Sequence, residues 1–247
     1  RLGLMVINEA FDTWTNSKNG NRNDFAKFFN TKIEEDNQII NGSPDMTWGE
    51  FEARTMVRSS KNDPSVIMWS IGNEVLEGIG GSAWNYPTIA QNIINWLKAE
   101  DETRPVTIGD NRSKRGEQLA IDISQVIADN GGVVGFNYTN MDQFNSLLNS
   151  NQDWIAYDSE TSSAAHSRGH YKTWGRDNTN LQMAEYDNNE NRVGWGASAS
   201  NAWKWVIKND RNAGEFVWTG FDYIGEPTPW NGTGTGTVGG GNGAAPK

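Results

Sequence analysis

The stretch M-W-S-I-G-N-E-V, residues 68–75, decides the fold that we predict for this chain. Its first half is apolar, as expected of a buried strand, but Gly72, Asn73 and Glu74 follow directly. An amide and a carboxylate are costly in a core unless they are hydrogen-bonded. They are better placed where a strand leaves the core, and the same arrangement recurs along the chain.

Short apolar runs alternate with helical patterns along the sequence. The runs, each followed by polar or aromatic residues, are 4–7, 66–69, 106–108, 133–136, 154–157 and 215–218. Between them apolar residues recur at helical spacing, with a capping box at Thr47 and Glu50 and a helix start at Pro87. Strands that are apolar on both faces and alternate with helices indicate a parallel sheet buried by those helices.

Two α/β architectures fit this alternation, an open doubly wound sheet and a (β/α)8 TIM barrel. No strand is followed by a G-x-G-x-x-G or Walker pattern. Polar residues after nearly every strand favour the barrel, whose site draws on many loops at one end. We expect an incomplete barrel with about six of its eight units, the first two being absent. The catalytic barrel is predicted at residues 1–230, and a glycine-rich flexible loop or tail at 231–247.

Composition excludes several classes of partner and site. The 21 basic and 31 acidic residues give a net charge of −10, which argues against nucleic acid or an anionic membrane surface as the partner. No run reaches the roughly 18 apolar residues of a membrane span, so no membrane insertion is predicted. Cysteine is absent and only His166 and His170 are histidines, so we expect no metal site and no cofactor.

Glu74 and Glu160 are the strongest candidates for catalysis. Each follows an apolar run and a hydrogen-bonding neighbour, Asn73 or Ser159. Strands separated by two others would place them across a barrel mouth from each other. Two carboxylates about 5 Å apart suit retaining glycoside hydrolysis, one as acid and one as nucleophile. The alternative is a pair of structural glutamates held in salt bridges at the rim.

Several motifs resemble glycoside hydrolase family 2 in the order in which that family carries them. The acid/base motif of the family resembles W-S-I-G-N-E (69–74), and the nucleophile segment of its β-galactosidases resembles D-S-E-T-S-S-A (158–164) with S-R-G-H-Y (167–171). The further matches are 2–14, 54–74, G-F-N-Y (135–138) and 216–230. The nucleophile segment particularly resembles that of the large streptococcal and bifidobacterial β-galactosidases, and the resemblance to the family covers nearly the whole chain.

The resemblance implies roles for individual residues. Glu74 is the expected acid/base and Glu160 the expected nucleophile, after barrel strands four and seven. Asn73 resembles the amide that binds the 2-hydroxyl of the sugar, and Tyr138 the tyrosine that hydrogen-bonds the nucleophile. Trp218 resembles the aromatic platform under galactose, although a tryptophan that ends a strand is often a core residue.

Other candidates rest on weaker signals. Asp110 or Asn111 is expected to take a sugar hydroxyl. Weaker candidates on the rim loops are Asp12, Trp14, Asp222 and Trp230. Glu9 is expected to be a structural carboxylate paired with an arginine. Enterobacterial relatives carry a Glu-x-His magnesium site that has no histidine counterpart in N-E-A-F-D-T-W-T-N (8–16), so no magnesium is expected there.

The sequence favours cleavage of terminal β-galactosides and leaves alternatives open. The same machinery could serve a β-glucuronidase or a β-mannosidase, and a glucuronidase would need a cation such as Lys114 or Arg115 for the substrate carboxylate. A non-catalytic carbohydrate-binding barrel is a second class, and a segment that is inert by itself a third. The resemblance also implies companion β-sandwich domains in the full-length protein, and it favours a secreted or cell-surface location over the cytoplasm.

Overall fold

The protein alternates strands and helices throughout the residues that its computed structural model describes, which are 3–18, 24–34, 43–77, 84–163 and 196–221. The elements are β1 Val6–Glu9, α1 Ala26–Phe29, α2 Trp48–Ser60, β2 Val66–Asn73, α3 Tyr86–Lys98, β3 Val106–Asp110, α4 Gln118–Asp129, β4 Val133–Asn137, α5 Met141–Ser150, β5 Ala156–Ser162, α6 Ala199–Ile207 and β6 Asn212–Trp218. The six strands form one sheet in sequential order, and β1 to β4 pair in parallel. This confirms the predicted α/β architecture, with six of the eight strands of a (β/α)8 barrel.

The chain divides into two compact units, and each is described by itself. The first comprises Arg1–Phe136 and Asn145–Tyr157, and the second comprises Asn137–Phe144 and Asp158–Lys247. The boundaries fall within β4, α5 and β5. The first unit therefore holds β1, β2 and β3 complete, whereas the second holds α6 and β6.

Local signals in the sequence explain where the helices of the first unit begin. Thr47 is the N-cap of α2, and its side-chain oxygen accepts a hydrogen bond from the main-chain N–H of Glu50 at 3.2 Å. This bond is the half of the predicted capping box that satisfies an otherwise unpaired helix donor. Pro87 lies in the first turn of α3, where its missing N–H costs nothing.

The core of the first unit is formed by the apolar faces of the strands and of α2, α3 and α4. Helical spacing predicts part of this core correctly, since Met56, Ile89, Ile93, Leu97 and Ile127 are buried. The largest fully buried side chains of this unit also include the following: Trp14, Trp69, Tyr86, Phe29, Phe136, Ile33, Ile71, Ile94 and Ile108.

A buried carboxylate joins β2 to the segment after α3. Asp101 accepts hydrogen bonds from Nε1 of Trp69 at 3.1 Å, from Nη1 of Arg104 at 2.5 Å and from the main-chain N–H of Thr103 at 2.8 Å. Arg104 also donates from Nε to the main-chain oxygen of Val66 at 2.7 Å. Burial acts to raise the pKa of Asp101, but the bonds from Thr103, Arg104 and Trp69 outweigh it and lower the pKa to about 2.

Several strand boundaries differ from the sequence prediction, and those of the first and fifth strands bear on the site. Leu4 and Met5 are exposed and precede β1, because its parallel ladder with β2 begins at the pair Val6 and Val66. The fifth strand begins at Ala156 and continues to Ser162, so Glu160 lies within the strand and does not follow it. Trp154 is buried just before the strand, and its indole N–H donates to Oε1 of Gln125 at 2.9 Å.

The second unit contains a shorter amphipathic helix. Ser198 is the N-cap of α6 and accepts from the main-chain N–H of Asn201 at 3.4 Å. Ala202 and Val206 are its buried residues, whereas Trp203 and Ile207, which the apolar spacing placed on the inner face, are exposed. A helical stripe fixes which residues share a face, but burial of the whole stripe depends on its neighbours.

Candidate active site

The end of β2 is held by main-chain bonds on both sides. Asn73 is the last residue of the strand, and its N–H donates to the oxygen of Phe11 at 3.2 Å. The N–H of Glu74 donates to the oxygen of Gly109, in β3, at 2.8 Å. Glu74 has a φ of 47°, in the left-handed region that non-glycine residues seldom occupy. The surrounding bonds therefore fix the backbone that carries this carboxylate.

Gly72 is required by close packing one residue earlier. Its φ is +155°, and a Cβ there would lie 2.8 Å from Cγ1 of Val75 and 3.1 Å from Nε1 of Trp14. The Trp14 side chain is fully buried, and its indole N–H donates to the main-chain oxygen of Ile71 at 2.8 Å. Trp14, a weaker candidate for the rim, thus packs against the end of β2.

Asp110 ends β3 and organises the turn that follows. Its carboxylate accepts from the main-chain N–H groups of Arg112 at 3.0 Å and Ser113 at 2.8 Å. Burial raises the pKa of Asp110, and the hydrogen bonds from Ser113 and Arg112 reduce that rise without cancelling it. A buried carboxylate with a raised pKa is often found at functional sites. The predicted contact of Asp110 with a sugar hydroxyl stays a prediction.

Asn111 belongs to a charged cluster that the sequence did not reveal. Its Nδ2 donates to Oε2 of Glu77 at 2.8 Å, and Nη2 of Arg112 donates to the same oxygen at 3.2 Å. Nη1 of Arg112 also binds the carboxylate of Glu117 at 3.0 Å. Burial acts to raise the pKa of Glu77, but the bond from Asn111 and the charge of Arg112 lower it overall.

The amide oxygen of Asn111 accepts no hydrogen bond from the described residues. This oxygen, Oδ1, is buried. A buried amide oxygen without a partner is uncommon. Asp110 differs from Asn111 in this respect, because its oxygens accept from the turn. The predicted contact of Asn111 with a sugar hydroxyl stays a prediction.

Glu9 is the last residue of β1, and the partner of its carboxylate differs from the one expected. Oγ of Ser70, not an arginine, donates to Oε2 of Glu9 at 2.7 Å. Burial raises its pKa, the Ser70 bond lowers it, the charge of Asp12 raises it and that of Lys18 lowers it, with a net rise. Glu9, Asp12 and Lys18 therefore form an electrostatic cluster near the end of β1.

In the second unit, Tyr138 and Glu160 are bonded to each other at two levels. The main-chain N–H of Tyr138 donates to the main-chain oxygen of Glu160 at 2.7 Å, and its hydroxyl donates to Oε1 of Glu160. The phenol also contacts Oγ of Ser163 at 2.5 Å. Since the phenol has one hydrogen, which it gives to the carboxylate, Ser163 is the donor in that contact. Tyr138 has a φ of 55°, again in the left-handed region.

The second oxygen of Glu160 has a donor as well. Nδ2 of Asn137 lies 3.4 Å from Oε2 of Glu160, and Oδ1 of Asn137 accepts from Oγ of Ser159 at 2.6 Å. Donors on both oxygens bind the ionised carboxylate better than the neutral acid. They also hold its plane in one orientation, which a nucleophile requires.

Polar contacts on both sides of Glu160 hold the strand that carries it. Asp158 is buried and accepts from Oγ1 of Thr139 and from Nδ2 of Asn212, the latter at 2.7 Å. Oγ1 of Thr161 donates to Oε2 of Glu215 at 2.9 Å. These contacts lie within the second unit, and they explain why the strand extends past Glu160 although its sequence is polar.

Trp218 ends β6 with a partly open side chain. Its exposure is 43%, its main-chain oxygen accepts from the N–H of Ser163 at 3.3 Å, and the peptide bond to Thr219 is cis. An indole face that is neither buried nor fully exposed suits stacking on a sugar ring. The alternative expectation, a fully buried core tryptophan, does not describe this residue.

The predicted site residues thus fall into two sets. The first unit holds Asn73 at the end of β2 with Glu74 directly after it, and Asp110 at the end of β3 with Asn111 directly after it. The second unit brings together Tyr138 and Glu160, and it also contains Trp218. The sequence did not single out five residues that take part in these contacts: Lys18, Glu77, Arg112, Asn137 and Ser163. Two of them lie in motifs that the sequence did single out, Asn137 in G-F-N-Y and Ser163 in D-S-E-T-S-S-A.

Several other sequence expectations fall outside the described residues. His166, His170, Asp222, Trp230 and residues 231–247 are among them. Among the residues that the structure describes, no group of three or more histidine or acidic side chains is placed to hold a metal ion. Nor does this part of the chain contain a helix long and apolar enough to cross a bilayer. The expectation that no metal is needed stays a prediction.

Sequence comparison relates the chain to glycoside-cleaving enzymes. The family model described as "Glycosyl hydrolases family 2, TIM barrel domain" matches residues 1–238. A β-galactosidase of Bacteroides ovatus, BoGH2A, is 30% identical over 272 aligned residues that cover 93% of this chain. The chain spans 29% of the length of that relative. A β-glucuronidase of Mus musculus is 41% identical over 56 residues, 23% of this chain and 8% of its own length.

Structural comparison gives the same relationship. The crystal structure of a glycosyl hydrolase family 2 member from Bacteroides cellulosilyticus aligns with a TM-score of 0.61 at 27% identity, covering 91% of this chain and 21% of the other. The strand order, the ordered motifs and the family match over residues 1–238 agree. The chain belongs to glycoside hydrolase family 2 and contains its TIM barrel domain.

Proposed function

We propose that this chain carries the catalytic centre of a retaining β-galactosidase. The observation that carries the proposal is the Glu160 carboxylate, which has Tyr138 as a donor on one oxygen and Asn137 on the other. Donors on both oxygens hold the carboxylate in one orientation, as a nucleophile requires. The β-galactosidase of Bacteroides ovatus, 30% identical over 93% of the chain, supports galactose as the sugar.

The reaction proceeds by double displacement. Glu160 attacks the anomeric carbon while Glu74 gives its proton to the departing glycosidic oxygen, so that a covalent glycosyl-enzyme forms. Glu74 then takes a proton from water, the water oxygen attacks the same carbon, and Glu160 leaves as a carboxylate. The sugar is released with its original anomeric configuration because the carbon is inverted twice.

The remaining candidates have roles around this reaction. Asn73 binds the 2-hydroxyl of the sugar, a contact that strengthens at the transition state. Asn111 accepts a hydroxyl through Oδ1, with Asp110 beside it, and Trp218 stacks on the ring. Tyr138 stabilises the charge that returns to Glu160 when the glycosyl-enzyme is hydrolysed. No metal or cofactor takes part in this scheme.

The barrel is proposed to act within a larger protein. Because the chain spans 29% of the length of the Bacteroides ovatus enzyme, companion β-sandwich domains are expected to accompany it. The ordered motifs favour the large streptococcal and bifidobacterial surface enzymes as the nearest functional type, whereas the relatives named above come from Bacteroides species and mouse. The isolated 247-residue segment is expected to show little activity.

Trapping the intermediate tests the assignment of the nucleophile. A 2-deoxy-2-fluoro-β-galactoside with a good leaving group forms a glycosyl-enzyme that is hydrolysed slowly, since fluorine destabilises the cationic transition state. Mass spectrometry of the digested full-length protein should find the label on Glu160. A label on Glu74, or on another carboxylate, would overturn the proposed roles.

β-Glucuronidase is the second candidate, and the mouse relative favours it. A glucuronide needs a cation for its carboxylate. The basic side chains after β3 are Arg112, which pairs with Glu77 and Glu117, and Lys114 and Arg115 in the turn Ser113–Arg115. A panel of nitrophenyl β-galactoside, β-glucuronide and β-mannoside distinguishes the candidates. Turnover of the glucuronide alone would exclude the galactosidase.

A non-catalytic sugar-binding barrel is tested by the variant Glu160→Gln. The amide keeps the size of the side chain but cannot attack the anomeric carbon. The enzyme proposal expects hydrolysis to be lost while galactose binding, measured by calorimetry, is retained. Absence of hydrolysis in the unmodified full-length protein, with binding intact, would favour the binding module.

A further inference from the structure

Lys18 places a largely buried ammonium group at the end of β2. Its ammonium donates to Oδ1 of Asp12 at 2.6 Å and to the main-chain oxygen of Asn73 at 2.8 Å. The Lys18 side chain is 12% exposed, whereas that of Asp12 is 73% exposed. Covering an ammonium is costly unless it is well paired, so this lysine is held where it is by specific contacts.

The backbone of Lys18 is fixed independently of its ammonium. The carboxylate of Asp24 accepts from the main-chain N–H of Lys18 at 3.1 Å, from Oγ of Ser17 at 2.9 Å and from the N–H of Ala26 at 3.1 Å. The main chain of Lys18 is therefore anchored by Asp24, whereas its ammonium is positioned by the bonds to Asp12 and Asn73.

The carbonyl that Lys18 binds belongs to the peptide group that joins Asn73 to Glu74. The N–H of that same peptide donates to the oxygen of Gly109 at 2.8 Å. One peptide group is thus held at its oxygen by a cation and at its nitrogen by a strand. Glu74 has a φ of 47°, and a backbone in this region persists when its surroundings hold it.

Lys18 also balances negative charge around this peptide. The charges of Asp12 and Lys18 act in opposite directions on the pKa of Glu9. Several charged side chains lie on the segments that bond to the turn at Glu74. They are Glu9, Asp12 and Lys18 near β1, Glu77 on the turn itself, Asp110 at the end of β3, and Arg112, Lys114 and Arg115 after it. Removing Lys18 would take away the ion pair of Asp12 and the positive charge that acts on Glu9.

We propose that Lys18 is a positioning residue for the acid/base Glu74, acting through its bond to the carbonyl of Asn73. The ammonium fixes the peptide that sets the direction of the Glu74 side chain. This inference rests on the proposed function, in which Glu74 protonates the departing oxygen. A lysine that merely stabilised the fold would make the same contacts, so the test must separate the two roles.

The dependence of the rate on the leaving group distinguishes a positioning role of Lys18 from a purely structural one. In the first step the anomeric carbon–oxygen bond breaks, the bond to Glu160 forms and the departing oxygen takes the proton of Glu74. A dinitrophenolate is stable as an anion and leaves without that proton, whereas a simple phenolate needs it. A defect in proton donation therefore slows phenyl galactoside and spares dinitrophenyl galactoside, but a general structural defect slows both.

The experiment measures kcat/KM of the full-length Lys18→Met variant on the two substrates. We expect a loss of about 10- to 100-fold on phenyl β-galactoside, part of what a general acid contributes, and little change on the 2,4-dinitrophenyl substrate. The matched control is Lys32→Met, which removes a lysine whose ion pair with Asp45 is exposed, and it should leave both rates unchanged. An equal loss on both substrates would overturn the inference.

Two further variants keep the outcome interpretable. Glu74→Gln tests the proposed function: if it slows both substrates equally, Glu74 is not the acid, and if it shows the leaving-group pattern while Lys18→Met does not, only the role of Lys18 fails. Should Lys18→Met not fold, Asp12→Asn replaces it, since this side chain is exposed. The same pattern at smaller amplitude supports the inference, and an unchanged ratio of the two rates contradicts it.

Discussion

Tyr138 donates its phenolic hydrogen to Oε1 of Glu160, while its main-chain N–H donates to the main-chain oxygen of the same residue at 2.7 Å. The two bonds connect the residue after β4 to the middle of β5. The carboxylate is thus positioned by the sheet itself and not by a long loop. Sites carried by strands are more precise than sites carried by loops.

The first prediction concerns the hydroxyl of Tyr138. In Tyr138→Phe the main-chain bond remains, but Oε1 of Glu160 loses its donor. Since that donor stabilises the charge that Glu160 regains during hydrolysis of the intermediate, the second step should slow, and kcat should fall about 10- to 100-fold, the worth of a hydrogen bond to a charged group. Stopped-flow kinetics with an aryl galactoside should show a burst of the released phenol.

The control for that variant is Tyr86→Phe. Tyr86 is fully buried, and its hydroxyl accepts from Nδ2 of Asn16 at 3.1 Å. This variant should show an unchanged kcat and no new burst. If Tyr138→Phe behaved in the same way, Tyr138 would not assist the nucleophile.

The second prediction concerns Glu160 itself. Glu160→Gln keeps the shape of the side chain and should reduce kcat on galactosides at least about 10⁴-fold, as loss of a nucleophile does in covalent mechanisms. The exposed Glu102 provides the control variant Glu102→Gln, which should keep full activity. Residual activity of Glu160→Gln above a hundredth of the unmodified rate would show that another group attacks the sugar.

The third prediction links Asp101 to acid stability. Its pKa in the folded protein is about 2, below the ordinary value of 3.8, so its ionised form favours folding. This contribution is complete above about pH 4 and is lost as the pH falls toward 2, and the shift corresponds to about 2 kcal/mol. Asp101→Asn should therefore lower the free energy of unfolding at pH 7 and have a smaller effect at pH 2.5.

Urea unfolding at the two pH values measures this difference. The exposed Asp122 on α4 serves as the control, because Asp122→Asn should alter stability little and equally at both pH values. A constant difference between Asp101→Asn and the unmodified protein across this range would contradict the assignment of the pKa.

The fourth prediction concerns Gly72. In Gly72→Ala the new methyl group would lie 2.8 Å from Val75 and 3.1 Å from the Trp14 indole, at a φ of +155°. Overpacking of this kind costs about 1–3 kcal/mol. Because Asn73 and Glu74 follow directly, kcat should fall together with the melting temperature. Gly220→Ala, where a Cβ meets no atom within 4 Å, should preserve the melting temperature.

The sequence was sufficient for the order of the elements and for much of the core. Thr47 and Pro87 mark helix starts because capping and the missing N–H of proline are local effects. The ends of the strands were predicted less well. The fifth strand extends through polar residues to Ser162 because side-chain bonds such as Thr161–Glu215 hold it, and those bonds join distant parts of the chain.

Candidate site residues could be proposed from the sequence where they adjoin a strand end, but not where they lie on a loop. Glu74 was proposed from its place after an apolar run, and Tyr138 and Trp218 from the family resemblance, and their roles stay predictions. Lys18 and Arg112 could not be proposed in this way, because each depends on a contact with a residue far along the chain, Asn73 and Glu77 respectively. The exposure of Leu4 and Trp203 could not be predicted either, because hydrophobicity alone does not show which neighbours bury a side chain.

The left-handed backbone at Glu74 and Tyr138 has a consequence for engineering heat resistance. Glycine adopts this conformation without penalty and asparagine with little, so a selection for thermostability alone would favour both at these two positions. Each replacement would raise the stability of the fold but remove a side chain that the proposed mechanism uses. Engineering of a thermostable biocatalyst should therefore keep Glu74 and Tyr138 and introduce its stabilising substitutions at other positions.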